Sequence, residues 1–213
     1  MNPTVFIVED APEVRIGLSR LLAAEGYPVR SFESAEGFLE EQDSEVPGCL
    51  LLDVCLPGLT GIELQRALVG SPSPRPIIFL SGVGDIQTSV SAMKAGAIDF
   101  LTKPVDNTKL FAAIEQALQH DAEQRQEREV CSLILRRVAK LTPRERQVME
   151  HIVRGRLNKQ IAADLGCGEK TVKVHRARVL SKMGVCSVTE LVHLVLRIGV
   201  GIDRSACPGA GLG

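Results

Sequence analysis

Glu9, Asp10, Asp53, Ser81 and Lys103 each stand at or just beyond the end of a short β-rich run, and together they offer three carboxylates, a hydroxyl and an ammonium. In a doubly wound sheet such groups meet, because sites form beyond the C-terminal ends of the strands. Each has a task if Asp53 attacks a phosphoryl donor. Packed carboxylates repel one another, so the set calls for a hard dication with oxygen ligands, and Mg²⁺ suits one or two carboxylates plus phosphoryl oxygens and waters. Asp10 and Asp53 would ligate it directly with the backbone carbonyl of Cys55, and Glu9 would act through water. The metal would neutralise the incoming group and align it with the Asp53 carboxylate. Lys103 supplies a positive charge to one phosphoryl oxygen, and the Ser81 hydroxyl bonds another. Phosphoryl transfer needs little more than such positioning and charge. A lone Asp after a strand is more often a helix cap or loop residue. Four strand ends with compatible groups are harder to dismiss.

These residues require a parallel sheet to bring them together. The strand candidates are Thr4–Val8, Val29–Phe32, Cys49–Leu52, Pro76–Leu80 and Ala97–Leu101. Between them lie helical patterns at Glu13–Glu25, Ala35–Glu41, Gly61–Val69, Gln87–Ala95 and Asp106–Arg125. Pro12 is placed as a first-turn proline, and Ser34 as an N-cap. Five βα units predict an α/β fold with a five-stranded parallel sheet covered on both faces.

The net charge of −1 hides a division: residues 1–120 carry 16 acidic and 8 basic side chains, whereas residues 138–200 carry 5 and 12. Such asymmetry predicts two modules, the second suited to a polyanion such as DNA. The expected organisation is a phosphoacceptor domain over 1–120, a polar helical linker over 121–137 and an all-α domain over 138–200. The Gly-rich stretch 201–213 is expected to be a disordered tail.

In the second module, Thr142-Pro143-Arg144-Glu145 and Ser187-Val188-Thr189-Glu190 read as capping boxes. Helices are expected to about Arg154, over Asn158–Leu165, over Glu169–Met183 and to about Arg197. The turn Gly166-Cys167-Gly168 fits a helix-turn-helix whose second helix enters the major groove. That helix carries Lys170, Thr171, Lys173, His175, Arg176, Arg178 and Lys182, while Val172, Val179, Leu180 and Met183 fall at core spacing. Lys170, Thr171 and Arg176 are read as phosphate contacts. Lys173 and Val174 are read as base contacts, with Arg178 a lesser candidate. His175 either touches the DNA backbone or packs inward. A basic helix alone would be an ordinary solvated surface; the turn, the caps and the basic balance of the whole module favour DNA.

Two resemblances follow. Residues 4–120 resemble the receiver domain of two-component response regulators, through Val-Phe-Ile-Val-Glu-Asp (5–10), Leu-Leu-Leu-Asp-Val-Cys-Leu-Pro-Gly-Leu-Thr-Gly (50–61), Ile-Ile-Phe-Leu-Ser-Gly (77–82) and Met-Lys-Ala-Gly-Ala-Ile-Asp-Phe-Leu-Thr-Lys-Pro (93–104). Residues 139–198 resemble the LuxR-type helix-turn-helix, through Leu-Thr-Pro-Arg-Glu-Arg-Gln-Val-Met (141–149), Asn-Lys-Gln-Ile-Ala (158–162) and Thr-Val-Lys-Val-His-Arg (171–176). The whole chain is similar to FixJ/NarL-type regulators, nearer the FixJ branch. The resemblance implies a sensor histidine kinase as phosphoryl donor, slow self-dephosphorylation and a cis Lys103–Pro104 bond. It implies a switch through Ser81 and the aromatic Phe100, followed on phosphorylation by homodimer formation through the 87–101 face or by separation of the two domains that exposes helix 169–183. It also implies binding to promoter DNA and contact with RNA polymerase, with activation the expected sign. Phe100 has a plainer alternative as core filler. The fourth helix, with Leu191, Leu194, Val195 and Ile198, resembles a dimerising segment, with closing the core as the plainer alternative for some of these residues, and Glu145 resembles a structural residue. Three positions depart from the family: Glu9 replaces the commoner Asp, Ala11 stands where a third acid is frequent, and Cys55 is small beside the phosphoacceptor.

Other classes fit poorly. Gly82-Val83-Gly84-Asp85 lacks the Gly-Lys-Ser/Thr of a P-loop, Ser81 lacks a nucleophile elbow, and no ATPase domain separates the modules. The chain is therefore expected not to be an enzyme beyond its own phosphorylation and dephosphorylation. The six cysteines form no CxxC pair and read as small hydrophobes. No run approaches the roughly 18 apolar residues of a membrane span, and no signal-peptide pattern opens the chain, so a cytoplasmic location without membrane partners is expected. Two rival readings remain: a phosphotransfer sink with vestigial DNA binding, and a regulator that works without phosphorylation.

Overall fold

The strands β1 (Thr4–Val8), β3 (Gly48–Asp53) and β4 (Ile77–Ser81) are buried along their whole length. Near-continuous apolar runs of this kind belong to parallel strands covered on both faces. The edge strands β2 (Val29–Phe32) and β5 (Asp99–Thr102) are more exposed. The five form one parallel sheet in the order β2-β1-β3-β4-β5. The winding reverses between β1 and β3, which places a crevice at their C-terminal ends. The structure, a computed structural model, describes residues 2–70, 74–82 and 86–199, apart from the side chains of 69 and 86–88. The stretch 201–213, and 83–85 of the glycine-containing loop, lie outside the described residues.

Side-chain alternation along the strands builds two apolar layers. Val5, Ile7, Cys49, Leu51, Ile78 and Leu80 face α1 (Pro12–Ala24) and the first half of α5 (Asn107–Ala139). Phe6, Val8, Leu50, Leu52, Ile77 and Phe79 face the other way, toward α2 (Ala35–Glu41), α3 (Gly61–Val69) and α4 (Ile86–Lys94). Truncating a fully buried leucine such as Leu51 to alanine would cost about 2–5 kcal/mol. Cys49 belongs to this core, and burial pushes its thiol up to about 12. The described cysteines are all free.

The chain divides into two units, Met1–Gln126 and Glu127–Gly213, and the boundary falls inside α5. That helix is longer than the expected segment ending at Arg125 and runs on through the polar stretch to Ala139. Its early residues Leu110, Ala113, Ile114 and Ala117 enter the core of the first unit. Its late residues Ile134 and Val138 enter the core of the second. Residues 127–137 therefore do more than link, since they supply apolar side chains to the second unit.

The second unit is helical: α6 (Pro143–Val153), α7 (Asn158–Asp164), α8 (Glu169–Met183) and α9 (Val188–Arg197). The Thr142 hydroxyl accepts from the Glu145 N–H at 3.3 Å while the Glu145 carboxylate accepts from the Thr142 N–H at 2.9 Å, a complete capping box. At α9 only half of the expected box is present. Ser187 accepts from the Glu190 N–H, but the Glu190 carboxylate accepts from Cys186 N, one residue before the cap. Among the described residues no single helix is long and apolar enough to cross a membrane.

Candidate phosphoacceptor pocket and nucleic-acid interface

β1 delivers Glu9 and Asp10 to one side of the crevice, and β3 delivers Asp53 to the other. Register explains the proximity: Val8 pairs with Leu52, so the residues that follow emerge side by side. The carboxylate oxygens of Glu9, Asp10 and Asp53 lie within 4.8 Å of one another. Glu9 is fully buried, Asp53 and Ser81 nearly so, and Asp10 is exposed.

Lys103 ties the rim together. Its Nζ donates to Glu9 Oε2 at 2.6 Å and to Asp53 Oδ2 at 2.8 Å. Its backbone N–H donates to the Ser81 carbonyl at 2.7 Å, which fixes the end of β5 against the end of β4. The Lys103–Pro104 bond is cis. The other Asp53 oxygen, Oδ1, accepts from Cys55 N at 3.1 Å. Burial pushes the Glu9 carboxyl up, while the Lys103 hydrogen bond opposes this in part. Lys103 is itself raised: partial burial pulls it down, but the bonds to Asp53 and Glu9 outweigh that cost.

The donor set fits a hard cation. Glu9 Oε1 is buried and has no hydrogen-bond partner, an acceptor that a metal-bound water or the ion itself would satisfy. Phe100 is half-buried and packs on the α3-side core, with its ring centroid 6.2 Å from that of Phe79. Thus the pocket brings together Glu9, Asp10, Asp53 and Lys103 directly, with Ser81 and Cys55 joined through backbone contacts.

Two residues of the pocket's frame escaped the sequence reading. Arg15 of α1 donates to the carbonyls of Glu9 and Asp10. Gly61 opens α3 so close to the end of β3 that an added Cβ would stand 2.2 Å from the Asp53 carbonyl oxygen. The glycine was visible in sequence as a helix start; its approach to Asp53 was not.

In the second unit, α8 buries Val172, Val179 and Met183 and turns Lys170, Thr171, Lys173 and Arg178 to solvent. Val174 is 49 % exposed on the same outward surface. His175 and Arg176 are half-buried, and the Nδ1 of His175 is buried without a partner. Lys182 departs from the expected outward face: its Nζ bonds Glu145 Oε2 at 2.6 Å and the Lys140 carbonyl at 3.1 Å. The Glu145 carboxyl is held down at about 2, first by the Lys182 hydrogen bond and then by the Thr142 N–H. Arg156, not singled out in the sequence, lines a cleft of about 300 Å³ with Arg176 and Asn158. Basic character was its one available signal, shared with many surface residues.

Comparison with known proteins agrees with both halves. The family described as response regulator receiver domain matches residues 5–115, and the bacterial regulatory proteins of the luxR family match residues 139–195. The transcriptional regulatory protein FixJ of Bradyrhizobium diazoefficiens is 40% identical over 196 residues, covering 92% of this chain and 96% of that protein. The response regulator protein TodT of Pseudomonas putida is 41% identical over 194 residues, covering 91% and 86%. Among solved structures, the response regulator StyR aligns with a TM-score of 0.79 at 48% identity, covering 92% of this chain and 100% of that one. Full-length FixJ from B. japonicum aligns with a TM-score of 0.56 at 39% identity, covering 93% and 98%. With these matches, the chain belongs to the FixJ/NarL-type two-component response regulators, transcription regulators that join a receiver domain to a LuxR-type DNA-binding domain.

Proposed function

We propose that Asp53 accepts a phosphoryl group from the phosphohistidine of a sensor histidine kinase and that this controls binding of α8 to promoter DNA. The observation that carries the reading is the double bond-set of Lys103, whose ammonium is held between Asp53 and Glu9 beside a third carboxylate. One Asp53 oxygen attacks phosphorus; an acyl phosphate bond forms as the P–N bond breaks, and the imidazole leaves with the electron pair and takes up a proton. Glu9, Asp10, Asp53 and the Cys55 carbonyl would hold Mg²⁺, which when bound neutralises the phosphoryl oxygens and aligns the transfer. Lys103 follows the new anion from the carboxylate to a phosphoryl oxygen, and the Ser81 hydroxyl bonds another. Phe100 then turns from its packing beside Phe79, and the face of α4 and β5 becomes a homodimer surface.

On DNA, Lys170, Thr171 and Arg176 grip phosphates, and Lys173 and Val174 read base edges, with Arg178 and His175 at the margin of the contact. Activation through RNA polymerase, a cytoplasmic location and the lack of turnover on an outside substrate belong to the same reading. Footprinting on genomic DNA with and without a phosphoryl donor tests it. Stronger protection of paired half-sites after phosphorylation is expected. Identical protection in both conditions would remove the switch, and no selective protection in either would favour a phosphotransfer sink.

A further inference from the structure

Arg15 sits in the second turn of α1, and its side chain reaches back to the end of β1. Its Nη1 donates to the Glu9 carbonyl at 2.7 Å and to the Asp10 carbonyl at 3.1 Å. These carbonyls belong to the two consecutive residues whose carboxylates join Asp53 in the acidic cluster. The turn that carries them lacks the usual restraint, because Ala11 caps α1 without a side-chain hydrogen bond. Among the described side chains, the tie on this turn falls to Arg15.

The direction of each carboxylate follows from the backbone at its own residue. Rotating the Glu9 or Asp10 peptide unit re-aims the side chain, and Mg²⁺ tolerates little departure from octahedral geometry. Groups that orient metal ligands from behind commonly matter about 10–100-fold in metal affinity. We propose that Arg15 is a positioning residue of the acidic pocket: by holding the Glu9 and Asp10 carbonyls it fixes the angle at which their carboxylates meet a divalent cation beside Asp53. This rests on the reading of the pocket as a Mg²⁺ site.

Charge and position predict opposite signs here, which makes the proposal testable. A guanidinium near the pocket repels a dication, so if charge were its whole effect, removing it would tighten Mg²⁺ binding. If Arg15 acts by position, removing it loosens binding. The test is calorimetric Mg²⁺ titration of the full chain for wild type, Arg15→Met and Arg15→Lys, alongside metal-free thermal unfolding. Arg15→Met is expected to weaken Mg²⁺ binding about tenfold at a temperature where the metal-free chain stays folded, its thermal midpoint being lowered by the loss of the two carbonyl hydrogen bonds. Arg15→Lys, which keeps a charged donor for the carbonyls, is expected to recover part of the loss and serves if the methionine variant folds poorly. Equal or tighter binding in both variants overturns the proposal while leaving the pocket reading intact. A wild-type chain that takes up no Mg²⁺ overturns the pocket reading, and the role of Arg15 with it.

Discussion

Arg137 closes the C-terminal end of α8: its Nη1 donates to the Met183 carbonyl at 2.8 Å. Gly184 follows in the left-handed region at φ 65°, and an added Cβ there would meet the guanidinium at 3.2 Å. A cation at a helix C-terminus satisfies a free carbonyl and complements the dipole. Arg137→Ala should therefore destabilise the DNA-binding unit by about 1.5 kcal/mol. Urea unfolding of the full chain checks this, and an unchanged midpoint would remove Arg137 from the account of how α8 is held.

Asp53→Asn should abolish incorporation of an acid-stable, base-labile phosphoryl group from a small-molecule donor while leaving the fold intact. Lys103→Met should leave Asp53 present but slow its phosphorylation by about tenfold or more, because the developing charge loses its positive partner. Phosphate-affinity gels over a time course separate the two. Full-rate labelling of the Asn variant would place the acceptor elsewhere.

Glu145 predicts a pH dependence for the second unit. Its folded pKa of about 2 lies below the ordinary 4.5. Its stabilisation is complete above the ordinary value and is lost as the pH falls toward the folded one. Thermal midpoints of the second unit should fall between about pH 5 and about pH 2, and Glu145→Gln should flatten part of that slope while lowering the plateau. Circular dichroism of both chains provides the comparison; parallel curves would deny Glu145 the role.

The two classes of DNA contact should separate by salt. Lys170→Ala should weaken binding to all sequences and reduce the slope of log affinity against log salt by about one. Lys173→Ala should relax preference at one base pair by about 1–3 kcal/mol. Binding to operator variants at several salt concentrations distinguishes them, and equal loss of preference in both variants would erase the division of labour.

The pocket was legible in sequence because its groups sit at strand ends, where a parallel fold leaves little choice of meeting place. The sheet was legible for a related reason: Val5–Val8 and Leu50–Leu52 are short apolar runs set between helical patterns, which suits strands buried on both faces. What escaped depended on long-range contact. Asp121 lies in a polar run read as linker, yet it is buried and its Oδ2 accepts from Gly48 N at 2.9 Å, across the fold. Ile134 was hidden in the same run because an isolated apolar residue does not reveal which core it enters. Lys182 looked like another outward base of α8, and only the packing of α6 turns it toward Glu145. A long cationic side chain gives no sign in sequence of which anion it will find.

Gly61 and Asp53 lie eight positions apart in the chain but share one contact, and this divides the neighbourhood for anyone who wishes to retune the protein. Position 61 is closed, since even a methyl group must displace the backbone of Asp53. Position 55 is open, an exposed thiol whose main chain already bonds the Asp53 carboxylate. The loop after β3 is thus best varied at residue 55, with residue 61 left as its fixed point.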